Sequence, residues 1–232
     1  MSDHPALEIN GLRFRYPGAP GLTVDVPRLR LERAGQLLLT AGSGRGKSTL
    51  LYLIAGLIEP HDGGVRIDGT AIHSLSGAAR DRFRGRHVGM IFQTFNLLHG
   101  FSAVENVMAA LMFSGVPRSE HRARAGELLW KLGIERPEAD PDRLSVGQQQ
   151  RVAVARAVAC APALVLADEP TASLDPENAA GAMDLIQKVC RDAGAALLCV
   201  SHDPAMRGRF ERRESLDELA GTREAVPVGG VA

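Results

Sequence analysis

At 232 residues and 45% apolar composition, the chain can bury a sizeable core as one large domain or two small ones. Its 27 basic and 27 acidic side chains cancel, which gives no electrostatic reason to expect nucleic acid or anionic lipid as the main partner. The three cysteines, Cys160, Cys190 and Cys199, have no metal-ligand spacing and sit in apolar or helical stretches, so they read as reduced core residues of a cytosolic protein.

The N-terminal "MSDHPALEIN" lacks the basic and apolar regions of a secretory signal. Apolar runs such as "LLYLIAGLI" and "ALVLA" fall well short of the ~20 residues that span a bilayer, so no segment is expected to cross a membrane alone.

The first third alternates strand-like runs with turns: "LEINGLRFRY", "LTVDVPRLRL", then "GQLLLT" running into a glycine-rich loop. A helix is predicted from Lys47 to Gly56, with "EPHDGG" as a turn and "VRIDGTAI" and "RHVGMIFQ" as strands, the latter ending on Gln93. Helix signals dominate from about Ser102 to Leu132, with Ser119 as a cap for "EHRARAGELLWKL" and Gly133 as its stop. The loop "ERPEADPDR" leads into the helix "LSVGQQQRVAVARAVA". An apolar strand ending in two acids ("ALVLADEP"), a helix ("ENAAGAMDLIQKVCRDAG") and a buried strand ("AALLCVSHD") follow, a spacing that indicates parallel pairing in an α/β sheet. From "RRESLDELAG" onward a short hairpin or helix and a frayed tail are expected.

The stretch "TAGSGRGKSTLL" carries the strongest chemical signal. A strand, a glycine turn and a helix starting at Lys47 gather backbone N–H groups around one point, which suits a polyphosphate. Gly42, Ser43, Gly44, Arg45 and Gly46 form the cradle, Lys47 reaches the β- and γ-phosphates, and Ser48, followed by Thr49, supplies a hydroxyl to Mg²⁺. The pattern G-x-x-x-x-G-K-[ST] is broken at its first glycine by Ala41. If that position demanded a positive φ, a Cβ would cost on the order of 1 kcal/mol. The neighbouring Gly42 is expected to absorb the demand. Further on, Asp168 and Glu169 stand at the carboxyl end of a strand, where open α/β sheets bind ligands. Asp168 is placed to hold Mg²⁺ through water and Glu169 to polarise an attacking water.

With these loops, "LSVGQQQR" resembles the LSGGQ signature of ATP-binding-cassette (ABC) ATPases, and the family's other motifs follow in order over roughly residues 7 to 204. The resemblance implies that Ser145, Gly147 and Gln148 meet the γ-phosphate of ATP held by another subunit, with Val146 in place of the usual first paired glycine. It implies that Tyr16 stacks on adenine, Gln93 touches Mg²⁺ and water, "SLD" up to Asp175 forms the D-loop, and His202 contacts the γ-phosphate. The implied fold is α/β, a P-loop NTPase with a RecA-like core, an antiparallel β-subdomain and an ABC-type α-helical subdomain. One domain would fill residues 1–232: core and β-subdomain over about 1–93 and 150–215, helical subdomain with the signature over about 94–149, and a tail over 216–232.

Within the family, "FQTFNLLHGFSAVENV" and "LADEPTASLD" are most similar to the small exporter-type ATPases of lipoprotein release and macrolide efflux, the LolD and MacB type, although "TASLD" departs from the "TGNLD" common there. The resemblance implies an ATP- and Mg²⁺-dependent ATPase that forms a homodimer with ATP. It would sit on the inner face of the cell membrane by binding a separate transmembrane permease, and bind no nucleic acid. Phe95, Leu97, Leu98 and Phe101 are expected to meet that permease. Two other classes compete. Soluble members acting on chromosomes insert long coiled coils, for which Lys47 and Ser145 stand too close in the chain, and translation factors carry two cassettes where this chain has one. An ATPase regulating a cell-division or envelope complex remains the alternative.

Overall fold

The computed structural model describes residues 4–42 and 45–221, and it is built around two sheets. The first is antiparallel, in the order β2 (Val24–Leu31), β1 (Leu7–Phe14), β4 (Asp62–Ile67), β5 (Thr70–Ala71). Apolar residues of β1 fall at Leu7 and Ile9, then Leu12 and Phe14, so their parity slips by one midway. The pairing with β4 shifts register between Asn10 and Arg13, where Gly11 has φ 60°. The resulting bulge keeps all four side chains in the core. Gly63 opposite has no room for a side chain, since an added Cβ would stand 2.2 Å from the Gly11 carbonyl oxygen.

The second sheet is parallel, in the order β6 (Val88–Ile91), β7 (Leu164–Asp168), β8 (Ala196–Ser201), β3 (Gln36–Thr40), β9 (Arg212–Ser215). Its inner strands β7, β8 and β3 are apolar at every position between their ends because both faces are covered. Leu37, Leu39, Leu164, Leu166 and Leu198 join one core with the antiparallel sheet and α1 (Lys47–Ile54). The alternate residues Leu38, Val165, Ala167, Leu197 and Cys199 join a second core with the helices on the other face. Those helices are α3 (Ala103–Leu111), α4 (His121–Lys131), α5 (Val146–Val158) and α6 (Pro176–Asp192). Cys190 and Cys199 are buried and reduced, and Cys160 is half-buried.

Several sequence expectations are corrected here. "RHVGMIFQ" is not one strand: Arg86 and His87 end α2 (Gly77–His87), and Gln93 lies past β6. The helix α2 fully buries none of its residues, so it has no apolar stripe to announce it. Ser119 does not cap α4, because a 3₁₀ turn over Arg118–Glu120 puts Glu120 at the boundary. Ser102 is the true cap in this region, holding α3 through a reciprocal box with Glu105. The polar run after Phe210 forms β9, which extends the parallel sheet and was not expected, and α7 (Leu216–Gly221), the short helix that was, with Leu216 buried where the tail over 216–232 was to begin; the rest of that tail lies outside the described residues.

Candidate functional site

In the parallel sheet Thr40 pairs with Ser201 and Asp168 with Val200, so the carboxyl ends of β3, β8 and β7 lie level. Their following residues converge on one cleft of 530 Å³, whose lining includes Tyr16, Lys47, Ser48, Gln93, Asp168, Glu169 and His202. The sheet thus gathers side chains scattered over most of the chain.

The loop after β3 enters α1 through Gly46, at φ 80°, where a Cβ would stand 2.3 Å from the Thr23 carbonyl oxygen. The N-cap of α1 is Gly46, which has no side chain to cap it, so among the described residues its first N–H groups are left for a ligand. Lys47 Nζ donates to the carbonyls of Ala41 (3.1 Å) and Gly42 (3.2 Å), folding the side chain back along the loop. Neither Ala41 nor Gly42 has a positive φ, so the strain that Gly42 was expected to absorb is absent and Ala41 fits as buried strand exit. Arg45 turns outward, its Nε 3.8 Å from Asp217 on α7. Ser43 and Gly44 lie outside the described residues. Thr49 is buried and its hydroxyl lies 3.3 Å from that of Tyr16, whose ring packs edge-on against Phe14 at 4.9 Å. A partly exposed ring is thereby held at the cleft's rim.

Glu169 is the most constrained residue of the cleft. It is buried, and it holds φ 45°, a conformation costing about 1–3 kcal/mol in a residue other than glycine. Its Oε1 accepts from His202 Nδ1 at 2.5 Å and lies 3.4 Å from Lys47 Nζ, and its Oε2 accepts from Ser201 Oγ at 2.9 Å. The His202 backbone N–H also donates to Oε1, at 3.1 Å. Burial pushes its carboxyl up, but the bonds from His202 and Ser201 and the charges of His202 and Lys47 outweigh it. The group lies below its ordinary range and is ionised at neutral pH. Ser201 escaped the sequence reading, although its place at the strand end directly before His202 was a usable signal.

The Ser48 hydroxyl, the Asp168 carboxylate and the Gln93 amide offer hard oxygen donors to this cleft. Few carboxylates with room for phosphate and water suit Mg²⁺, and no cluster of three His, Cys, Asp or Glu among the described residues provides another cage.

The signature residues are elsewhere. Ser145, Val146, Gly147 and Asp175 line a separate cleft of 880 Å³ between α5 and the start of α6. Ser145 Oγ accepts from Gln148 N at 3.3 Å while Gln148 Oε1 accepts from Ser145 N at 2.9 Å, a box that starts α5. Gly147 has an ordinary φ, and a Cβ added there would meet nothing within 4 Å. Nothing among the described residues requires glycine at that position. The two clefts are joined through the loop after β6, where Ser173 Oγ donates to the Gln93 carbonyl at 2.9 Å. Of the apolar residues expected on that loop to face a partner, Leu98 and Phe101 are exposed, Leu97 packs on the helical core, and Phe95 is buried.

The sequence matches the family model for ABC transporters over residues 25–172. It is 44% identical over 222 residues to the lipoprotein-releasing system ATP-binding protein LolD of Paramagnetospirillum magneticum, covering 94% of this chain and 97% of that protein. It is 41% identical over 215 residues to the LolD of Chromohalobacter salexigens, covering 91% of each. Among solved structures, a dimeric post-hydrolysis state of the ATP-binding cassette MJ0796 bound to ADP and Pi matches with a TM-score of 0.79 and 31% identity, over 90% of this chain and 93% of that one.

Proposed function

This chain belongs to the ABC transporter family as an ATP-hydrolysing subunit of the LolD type, and from that premise we propose that two copies clamp ATP head to tail and drive a separate permease that releases lipid-anchored proteins. The observation that carries the reading is the division of its site. The phosphate-binding residues open on one cleft and the signature residues on another, and the freedom around Gly147 calls for a group brought from outside the chain.

In each composite site Tyr16 supports the adenine, and the N-terminus of α1 with Lys47 holds the phosphates. Ser48, Gln93 and Asp168 would hold Mg²⁺, which when bound neutralises phosphate charge. Lys47 and His202 presently converge on Glu169 Oε1, and both are cations or donors that a terminal phosphate attracts. As they turn to the phosphate, Oε1 is released to accept a proton from water. Ser201 keeps Oε2 and so fixes the carboxylate in place. Gln93 aligns the water, and the partner's signature encloses the far side of the phosphate.

The permease is placed at a groove of 550 Å³ beside α2 and α5, lined by Leu57, Arg84, Met90, Phe92, Phe113 and Cys160. Leu57 and Phe113 expose apolar surface in it, and Leu98 and Phe101 are exposed farther along the loop after β6. No helix of the described residues is long and apolar enough to cross a membrane, so attachment to the inner face of the membrane runs through this groove. The cargo follows from the relatives' name for their system.

Glu169→Gln tests the clamp. It keeps the side chain's shape and removes the base, so hydrolysis should fall at least about 100-fold with ATP still bound. Size-exclusion chromatography with light scattering, run with ATP and Mg²⁺, should then show a stable dimer. A variant that binds ATP and stays monomeric refutes the head-to-tail site.

A further inference from the structure

The loop between β6 and α3 separates the nucleotide cleft from the apolar groove: Gln93 lines the first, and Phe92 and Asn96 line the second. It contains two consecutive left-handed residues that are not glycine, Phe95 at φ 58° and Asn96 at φ 48°. Asparagine tolerates that region, but for a bulky residue such as phenylalanine it is an outlier that something must hold. Arg156, in the last turn of α5, is the group that reaches them. Its two terminal nitrogens donate to the Phe95 and Asn96 carbonyls, each at 2.6 Å. No acidic group among the described residues acts on this guanidinium, and burial pulls its pKa down. A half-buried cation at the edge of a groove, with two carbonyl dipoles as its partners, is held for what it holds.

The other anchors of the loop sit on either side. Ser173 takes the Gln93 carbonyl at 2.9 Å, and buried Asn106 accepts from Leu98 N at 2.7 Å and donates to the Leu98, Phe101 and Ser102 carbonyls. The turn immediately after Gln93 also closes on itself, with Thr94 Oγ1 donating to Asn96 Oδ1 at 2.8 Å and the Phe95 and Asn96 N–H groups donating to the Phe92 and Thr94 carbonyls; among the described residues Arg156 is the side chain that ties it by hydrogen bonds to another element. It does so from the same helix whose first turn is Ser145 and Gly147.

We propose that Arg156 is a positioning residue for hydrolysis, clamping the left-handed turn at Phe95 and Asn96 so that Gln93 is held at the reacting phosphate. The clamp spans the wall shared by cleft and groove, so an occupant of the groove that shifts Asn96 or Arg156 also shifts Gln93. The inference rests on the reading of Gln93 given above, and the test separates the two.

The experiment is a double-mutant cycle on the full chain: parent, Gln93→Ala, Arg156→Met and the double variant. Turnover is counted per site that binds a fluorescent ATP analogue, and folding is checked by circular dichroism. Arg156→Met should lower turnover about tenfold and leave nucleotide affinity within about twofold, a split that loss of folded protein does not produce. Amide hydrogen exchange over residues 94–98 should rise. The double variant should be no slower than Gln93→Ala, because residues acting as one unit are not additive. If Arg156→Met does not fold, Arg156→Lys, which keeps the charge with fewer donors, enters the same cycle. Losses that multiply, or a fall explained entirely by unfolded protein, overturn the clamp alone. Parental turnover in Gln93→Ala overturns the reading of Gln93 and the clamp with it.

Discussion

The nucleotide cleft and the signature cleft both contain a serine, a glycine and a carboxylate, yet their side chains are bonded to different things. In the nucleotide cleft they bond to one another across the sheet: Lys47 from one segment and the adjacent Ser201 and His202 from another converge on Glu169 in a third. In the signature cleft the bonds are local, since Ser145 and Gln148 close on each other within one turn of α5. The first cleft is an assembled charge network waiting for a phosphate to redistribute it. The second is a helix N-terminus with its surroundings kept open. On the head-to-tail reading proposed above, one half of the site is organised by the fold and the other by a partner, which accounts for a chain that carries both without bringing them together.

The comparison breaks most sharply at Lys47. Removing its charge takes away two carbonyl bonds, a neighbour of Glu169 and the phosphate contact proposed for it. Lys47→Ala should weaken ATP binding at least about 100-fold, roughly 2.7 kcal/mol, and leave the circular dichroism spectrum unchanged. Equal affinity in variant and parent, measured by titration calorimetry, sinks the assignment of the first cleft.

Ser145→Ala attacks the other half. Loss of the cap weakens the start of α5 by about 1 kcal/mol, and hydrolysis should fall about tenfold or more with single-chain ATP affinity unchanged. Mixing this variant with Lys47→Ala sharpens the comparison. A mixed head-to-tail dimer contains one composite site with both lesions and one with neither, so two crippled proteins should recover activity together, up to about a quarter of the parental rate for statistical mixing. No recovery on mixing means the two clefts do not serve one site across the interface.

What could be read from the sequence follows the same division. The nucleotide cleft was legible because Asp168, Glu169 and His202 sit at or just past the carboxyl ends of apolar strands, and Lys47 and Ser48 follow another such strand through a glycine loop; such strands carry their own signal. The paired cores were legible in the unbroken apolar runs of β7 and β8. The bonds were not: nothing in "ARAV" distinguishes Arg156 from a solvated helix arginine, and nothing in "TFN" says that Phe95 is buried in a left-handed turn. Those features depend on contacts between segments about sixty positions apart. Elements that bury little were missed for another reason. The strand β9 is a polar edge with no fully buried residue, and it forms because β3 offers it an unpaired edge, a fact located far upstream in the chain.

The smallest expected effect concerns Val146, the departure from the family signature. Its side chain is 47% exposed at the first position of α5, beside Ser145 and Gly147 and on the rim of the signature cleft. Inside the chain it therefore contributes little burial, and glycine there would loosen the helix start by about 0.5–1 kcal/mol. Toward a partner the change works the other way, because removing three carbons opens the approach to Ser145 and Gly147. These terms oppose each other, and the phosphate-facing groups stay in place in both forms. Val146→Gly should accordingly change ATPase turnover by less than about tenfold, or 1.4 kcal/mol, with a slightly lower melting temperature. Steady-state kinetics beside a thermal melt separates the two terms. A gain of several orders of magnitude would mean that valine blocks the partner's nucleotide, and the signature cleft of this chain would then be a closed half-site.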